Sequence, residues 1–78
     1  MTLNEALKWI ADLFEEPVEK VLSQTKREDI AGWDSLGTLT LMAKLDEEFN
    51  IILSEEKIAE LKVVEDILQI LRENGHLE

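Results

Sequence analysis

The chain contains no cysteine, and its 78 residues include only one proline and three glycines. Without cysteine it has no disulfide, no thiolate metal site and no thiol nucleophile of its own. A small domain that lacks disulfides fits a reducing compartment. A domain of this length buries only about 60% of the surface of its unfolded chain, so its stability is usually small. We expect one domain over residues 1–78.

The sequence also lacks a long apolar run. No window approaches the roughly 20 apolar residues that a membrane span needs. The first ten residues, MTLNEALKWI, lack the basic start and the apolar stretch of a signal peptide. We therefore expect a soluble, cytoplasmic protein.

Basic residues are scarce: eight Lys and Arg stand against eighteen Asp and Glu, and the formal net charge is −10. Such a surface repels nucleic-acid phosphates and acidic lipids, so we expect no nucleic-acid partner and no membrane partner. The same field attracts basic patches on other proteins. Acidity that only aids solubility is an equally good interpretation of the charge alone.

Helical patterns dominate the chain, and no segment alternates long enough to predict a strand. Thr2 and Glu5 form a capping box that opens a first helix, and Pro17 either ends its pattern or starts a short new turn. The later helices are predicted from about Ser35 to Phe49, from the Ser54 cap to about Leu61, and from about Val64 to Glu73. Residues 15–34 form a long connection, with Ile30 as an anchor in the core. Connections of this length tend to be functional.

The predicted second helix has two apolar faces when its residues are placed 100° apart around the axis. One face is the core side, formed by Leu41, Met42, Leu45 and Phe49. A second stripe consists of Leu36, Leu39 and Ala43 and is flanked by Asp46 and Glu47. An apolar stripe between acids suits docking of a basic partner. The alternative is that loop residues around Ile30 cover this stripe, or that single exposed leucines have no role.

Ser35 lies where the second helix begins, directly after Asp34. Either residue is a common helix cap, so Ser35 could simply satisfy free amides. A helix start also favours a phosphate ester, because its free N–H groups and positive dipole end attract an anion. Gly37 in the first turn is predicted to leave room beside the hydroxyl.

Nothing in the sequence predicts catalysis. A serine nucleophile needs a base, and the one histidine, His76, lies in the predicted C-terminal tail. The G-x-S-x-G motif is absent, and a calcium loop starting at Asp46 fails because Ile51 occupies its glycine position. No pair of carboxylates stands out for a hydrolase. We expect no catalytic residues and no metal site.

The segment WDSLGTLTLMAKLDEEFNI, which starts at Trp33, resembles the acyl carrier protein family. The Asp34-Ser35-Leu36 tripeptide alone is a weak signal, but here it opens an acidic helix in a short acidic chain. The resemblance extends over nearly the whole chain. It implies an all-α, four-helix acyl-carrier-like bundle with a long loop between helices 1 and 2 and a short third helix.

The resemblance also implies a 4′-phosphopantetheine arm on Ser35, with Asp34 and Leu36 at its attachment site. A phosphopantetheinyl transferase would supply the arm from coenzyme A, and its thiol would carry acyl, aminoacyl or polyketide groups as thioesters. The partners would be acyl-loading and acyl-consuming enzymes with basic docking patches, and the carrier would be a monomer. The family positions for docking match Leu36, Leu39, Ala43, Asp46 and Glu47.

Four positions depart from the common family pattern, and one of them is Lys44, which interrupts the acidic helix. Gly37 stands where many fatty-acid carriers have an acidic residue, and Val63 stands where a threonine often caps the last helix. Trp33 is more typical of carriers in secondary metabolism than of those in fatty acid biosynthesis. Residues that could line an acyl cleft, besides forming ordinary core, are Leu41, Leu45, Ile58, Leu61 and Ile67.

The chief alternative is an acidic helical adaptor that binds a basic partner and carries no prosthetic group. Such an adaptor should tolerate Ser35→Ala, whereas a carrier should lose its function and keep its fold. The sequence does not specify the cargo.

Overall fold

The computed structural model describes all 78 residues, and its regular structure is entirely helical. Four α-helices follow one another: α1 (Leu3–Leu13), α2 (Ser35–Phe49), α3 (Glu55–Ala59) and α4 (Val64–Glu73). Two short 3₁₀ turns, Val18–Lys20 and Arg27–Asp29, lie in the long connection between α1 and α2. The only strand-like pairing is an isolated antiparallel bridge between Lys26 and Val63. The all-α class is confirmed, with the long first connection and the short third helix.

The predicted capping box opens α1. The Thr2 hydroxyl accepts the Glu5 N–H at 3.2 Å, and the Glu5 carboxylate accepts the Thr2 N–H at 2.8 Å. The Thr2 backbone bond, followed by its side-chain bond, lowers the pKa of Glu5 below its ordinary value, because both favour the charged carboxylate. The helix ends before Pro17, as its pattern predicts.

One hydrophobic core joins all four helices and the long connection. Its eighteen buried side chains are Ala6, Ile10, Ala11, Phe14, Val21, Ile30, Trp33, Leu41, Leu45, Ile51, Ile58, Leu61, Val64, Ile67, Leu68, Ile70, Leu71 and Leu77. The predicted anchor Ile30 is among them. Leu3, the first residue of α1, is exposed.

The long connection is held against the other end of the chain by backbone hydrogen bonds. The Arg27 N–H donates to the Lys62 carbonyl at 2.8 Å, and the Val64 N–H donates to the Thr25 carbonyl at 3.0 Å. These bonds tie the α1–α2 connection to the short segment between α3 and α4. The connection is therefore an ordered part of the fold, and it brings Arg27 to the start of α2.

The end of α3 differs from the prediction, whereas the start of α4 agrees with it. Helix α3 ends at Ala59 rather than near Leu61, because the N–H groups of Glu60 and Leu61 bond three residues back in a tighter turn. Helix α4 begins at Val64, and the Asp66 carboxylate accepts the Val63 N–H at 3.2 Å, although Val63 offers no side-chain cap of its own. None of the four helices combines the length and the apolar composition that a membrane span requires.

Candidate functional site

The N-cap of α2 is Asp34, and Ser35 is the first helical residue. A carboxylate oxygen of Asp34 accepts the Gly37 N–H at 2.8 Å, and the Asp34 backbone is extended, as a cap requires. The structure thus decides between the two predicted caps. The Ser35 hydroxyl is exposed and forms no hydrogen bond within the chain, so it is not needed to hold the helix end.

Two backbone N–H groups at the helix start also lack an acceptor within the chain, those of Ser35 and Leu36. Free amides at a helix start place positive partial charge beside the hydroxyl. An ester of phosphoric acid on Ser35 therefore fits the local charge. The positive partial charge of the free amides would not stabilise an apolar or a cationic group at this position.

Close backbone packing fixes the direction of the loop that leads into Ser35. A β-carbon added to Gly32 would lie 2.0 Å from the Phe14 carbonyl oxygen, and one added to Gly37 would lie 1.8 Å from the Gly32 carbonyl oxygen. Real atoms cannot approach so closely, so both positions need glycine. The Gly32 carbonyl thus fills the space that Gly37 leaves by lacking a side chain, and the room predicted beside the Ser35 hydroxyl stays a prediction.

Trp33 lines the same cavity as Ser35. Its ring is buried and stacks on Phe14, with ring centroids 5.2 Å apart and planes 15° from parallel. Its indole N–H has no hydrogen-bond partner within the chain. The sequence marks Trp33 only as a departure from the family pattern, because a single tryptophan before a cap offers no periodicity that would predict its burial.

Arg27 is a second residue that the sequence did not single out. Its guanidinium lies 5.9 Å from the centre of the Trp33 ring, and one of its nitrogens donates to the Thr38 hydroxyl at 3.0 Å. A surface cavity of about 440 Å³ separates this side chain from the attachment candidate. Its lining residues are Arg27, Glu28, Ile30, Ala31, Trp33, Asp34 and Ser35.

The predicted docking stripe on α2 is exposed. Leu36 and Leu39 are 72% and 62% accessible, and Ala43, Asp46 and Glu47 are exposed as well. The alternative in which the loop around Ile30 covers this stripe is therefore wrong, since Ile30 points into the core. A further apolar side chain, Ile52, is 83% exposed in the connection after α2.

The histidine lies far from Ser35. The His76 ring packs against Phe49, the last residue of α2, with centroids 4.8 Å apart. Fourteen residues separate Ser35 from Phe49, which corresponds to about 21 Å along the helix axis. The serine therefore has no imidazole base within reach. No group of three or more His, Asp or Glu side chains is placed to hold a metal ion.

The five candidates for an acyl cleft are all buried in the core: Leu41, Leu45, Ile58, Leu61 and Ile67. Four of them line none of the cavities of the structure, and Leu61 alone borders a shallow groove of about 320 Å³. An acyl chain would enter this core only if the helices moved apart.

Comparison with known proteins shows which protein family this chain is similar to. Residues 7–71 match the family model described as a phosphopantetheine attachment site. An acyl carrier protein of Brassica campestris, named as chloroplastic, is 38% identical over 55 residues. That alignment covers 70% of this chain and 40% of the plant protein, so the chain spans well under half of this relative.

Bacterial relatives match over more of their length. An acyl carrier protein of Rickettsia bellii is 26% identical over 71 residues, which covers 91% of this chain and 83% of the relative. An acyl carrier protein of Porphyromonas gingivalis is 29% identical over 76 residues, which covers 92% of this chain and 97% of the relative. Because each alignment covers more than nine-tenths of this chain, each includes its middle part, where Ser35 and α2 lie.

Proposed function

The chain belongs to the family of phosphopantetheine attachment domains, and we propose that it is an acyl carrier protein whose 4′-phosphopantetheine is attached to Ser35. The observation that carries this proposal is the division of roles at the start of α2. Asp34 caps the helix and leaves the Ser35 hydroxyl exposed and unbonded beside two free amides. A serine that only capped the helix would have its oxygen on a backbone N–H.

In the attachment step the Ser35 oxygen bonds to the phosphorus of coenzyme A that bears the pantetheine. The phosphoanhydride bond breaks, 3′,5′-ADP leaves, and a base on the transferase takes the hydroxyl proton. Ser35 would hold the arm, which when bound would supply a thiol for carrying acyl groups as thioesters. The chain's own part is to present the hydroxyl and to stabilise the negative charge of the ester, and it catalyses no reaction itself.

The predicted neighbours of the attachment site have separate tasks in this proposal. The Asp34 carboxylate is already engaged by the Gly37 N–H, so it orients the helix start rather than contacting the arm. Leu36 is 72% exposed next to the serine and faces any enzyme that handles the arm.

We assign partner docking to the exposed stripe Leu36, Leu39 and Ala43 with the acids Asp46 and Glu47. Its apolar residues are accessible, and of the two acids only Glu47 has a nearby cation, Lys44 at 4.0 Å. Partners of this kind are a phosphopantetheinyl transferase and the enzymes that load and consume acyl groups, each with a basic patch. Electrostatic steering supports the fast, weak association that a shuttle needs.

The proposal also covers the compartment, the oligomeric state and the cargo of the protein. We place it in the cytoplasm as a monomer, with acyl cargo for fatty acid biosynthesis or secondary metabolism. The plant relatives are named as chloroplastic, and that compartment is a property of those proteins. The absence of cysteine is consistent with a thiol that arrives with the arm.

The test is conversion of the purified chain with coenzyme A and a broad-specificity transferase, followed by intact mass. We expect a gain of one phosphopantetheine group, which Ser35→Ala abolishes. Ser54→Ala is the matched control, because Ser54 is exposed and caps α3 at 3.1 Å from the Lys57 N–H. Loading of the Ser35→Ala variant, or no loading of the wild-type chain, would contradict the proposal and favour an acidic adaptor without a prosthetic group.

A further inference from the structure

Arg27 is a cation without an acidic partner in a strongly acidic chain. The ion pairs of the structure join Lys8 to Asp12, Lys44 to Glu47 and Arg72 to Glu65, and none involves Arg27. Its guanidinium donates instead to two neutral oxygens, the Trp33 carbonyl at 3.4 Å and the Thr38 hydroxyl at 3.0 Å. A guanidinium has five N–H donors, so three remain for an anion.

The position of Thr38 places this cation close to Ser35. The two residues are one turn apart on α2, and side chains at i and i+3 have β-carbons about 5–6 Å apart. The Thr38 hydroxyl is held in place by its own bond to the Asp34 carbonyl at 2.8 Å. Arg27 and Ser35 also line the same cavity of about 440 Å³. A guanidinium bonded to Thr38 therefore lies one helical turn from Ser35 and borders the same cavity.

The surroundings keep the guanidinium in this place. The Trp33 ring lies 5.9 Å below it, and the backbone of Arg27 is fixed by its bond to the Lys62 carbonyl at 2.8 Å. Two acids share the cavity. The Asp34 carboxylate is engaged by the Gly37 N–H, and the exposed Glu28 forms no ion pair with Arg27.

We propose that Arg27 is a positioning residue that neutralises the phosphodiester of the arm and holds it in the cavity between Arg27 and Ser35. This inference rests on the attachment at Ser35. A phosphodiester carries one negative charge that the whole acidic chain otherwise repels, and guanidinium groups bind phosphate oxygens with two parallel hydrogen bonds.

The experiment compares four chains in the apo and the loaded form: wild type, Arg27→Gln, Arg27→Lys and Lys26→Gln. The last is the matched control, because Lys26 is the neighbouring cation and lies outside the cavity at Ser35. Intact mass first establishes loading of each chain. The readouts are the ³¹P NMR shift of the phosphodiester and the change in Tm on loading, each variant being compared with its own apo form.

We expect the wild-type and Lys26→Gln chains to share a ³¹P shift that differs from the shift of the urea-unfolded loaded chain. Arg27→Gln should move the signal to the unfolded value, and its change in Tm on loading should be about 2–4 °C less favourable. The difference should shrink in 1 M salt, where the Debye length is about 3 Å. Arg27→Lys should retain part of the wild-type ³¹P shift and part of the wild-type change in Tm, because lysine keeps the positive charge. If the Arg27→Gln chain does not fold, the comparison is made with Arg27→Lys.

The outcomes separate the two proposals. If the chains load but the ³¹P shift and the change in Tm on loading are the same in wild type and the Arg27 variants, Arg27 does not hold the phosphodiester, while attachment at Ser35 stands. An equal effect from Lys26→Gln would also overturn the inference, because the effect would then reflect net charge alone. If no chain loads, attachment at Ser35 is wrong and the role of Arg27 falls with it.

Discussion

The carbonyl oxygen of Gly32 occupies the space that a β-carbon on Gly37 would need, at a separation of only 1.8 Å. This contact joins the end of the long connection to the first turn of α2. Gly32 is in turn pressed against the Phe14 carbonyl at the end of α1. Two glycines thus let three backbone segments meet at the first turn of α2, the helix that begins with Ser35.

Replacement of Gly37 by alanine tests this packing. Alanine usually favours a helix over glycine by about 1 kcal/mol, but here its methyl group would collide with backbone. We expect Gly37→Ala to lower the free energy of unfolding by about 1–3 kcal/mol in urea titrations. Gly75→Asn is the control, because Gly75 has φ +78° and no neighbour within 4 Å, and asparagine tolerates that conformation. A Gly37→Ala chain as stable as wild type would contradict the contact.

Removal of the two side chains at the start of α2 separates capping from attachment. Asp34→Ala should lower the free energy of unfolding of the apo chain by about 1 kcal/mol, because the Gly37 N–H loses its acceptor. Ser35→Ala should change it by less than about 0.5 kcal/mol, because its hydroxyl bonds to nothing. Urea titration of both variants measures the difference. The reverse order would mean that Ser35 is the cap.

If the docking stripe binds the transferase, a substitution in it should lower kcat/KM for loading. Leu39 is 62% exposed, so Leu39→Asp should leave Tm nearly unchanged. It should lower kcat/KM for loading by a transferase about tenfold, because an interface anchor is replaced by a charge. Ile52→Asp is the matched control, since Ile52 is even more exposed but lies outside α2. Equal effects of the two variants would show that the stripe has no special part in docking.

The capping box of α1 predicts a dependence on pH. Bonding to Thr2 lowers the pKa of Glu5 in the folded chain, so the carboxylate stabilises the fold at pH values above the ordinary pKa of the unfolded glutamate. That contribution is lost as the pH falls through the lower, folded pKa. The wild type should therefore be more stable than Glu5→Gln at neutral pH, with a gap that closes in acid. Urea titrations from pH 7 to pH 3 measure the gap, and a gap independent of pH would refute the assignment.

Much of the site was predictable because it depends on residues that are neighbours along the chain. The spacing of Leu41, Leu45 and the other apolar residues predicted α2 over Ser35–Phe49, and the same periodicity placed Leu36 and Leu39 outside the core. The bounds of α4 were predicted in the same way. Helix α3 was predicted two residues too long, since the switch to a tighter turn after Ala59 leaves no clear mark in a short pattern.

The sequence by itself determined the all-α class, the acidic field, the two faces of α2 and the serine at its start, because periodicity, charge and capping act over one or two turns. The tertiary structure alone decided that Asp34 rather than Ser35 is the cap, that Gly32 meets Gly37, and that Arg27 lies over Trp33 beside the serine. Each of these depends on how the long connection folds back against α1 and the α3–α4 segment. Contacts between segments far apart in the chain are set by packing and backbone pairing, for which a single sequence carries no local signal.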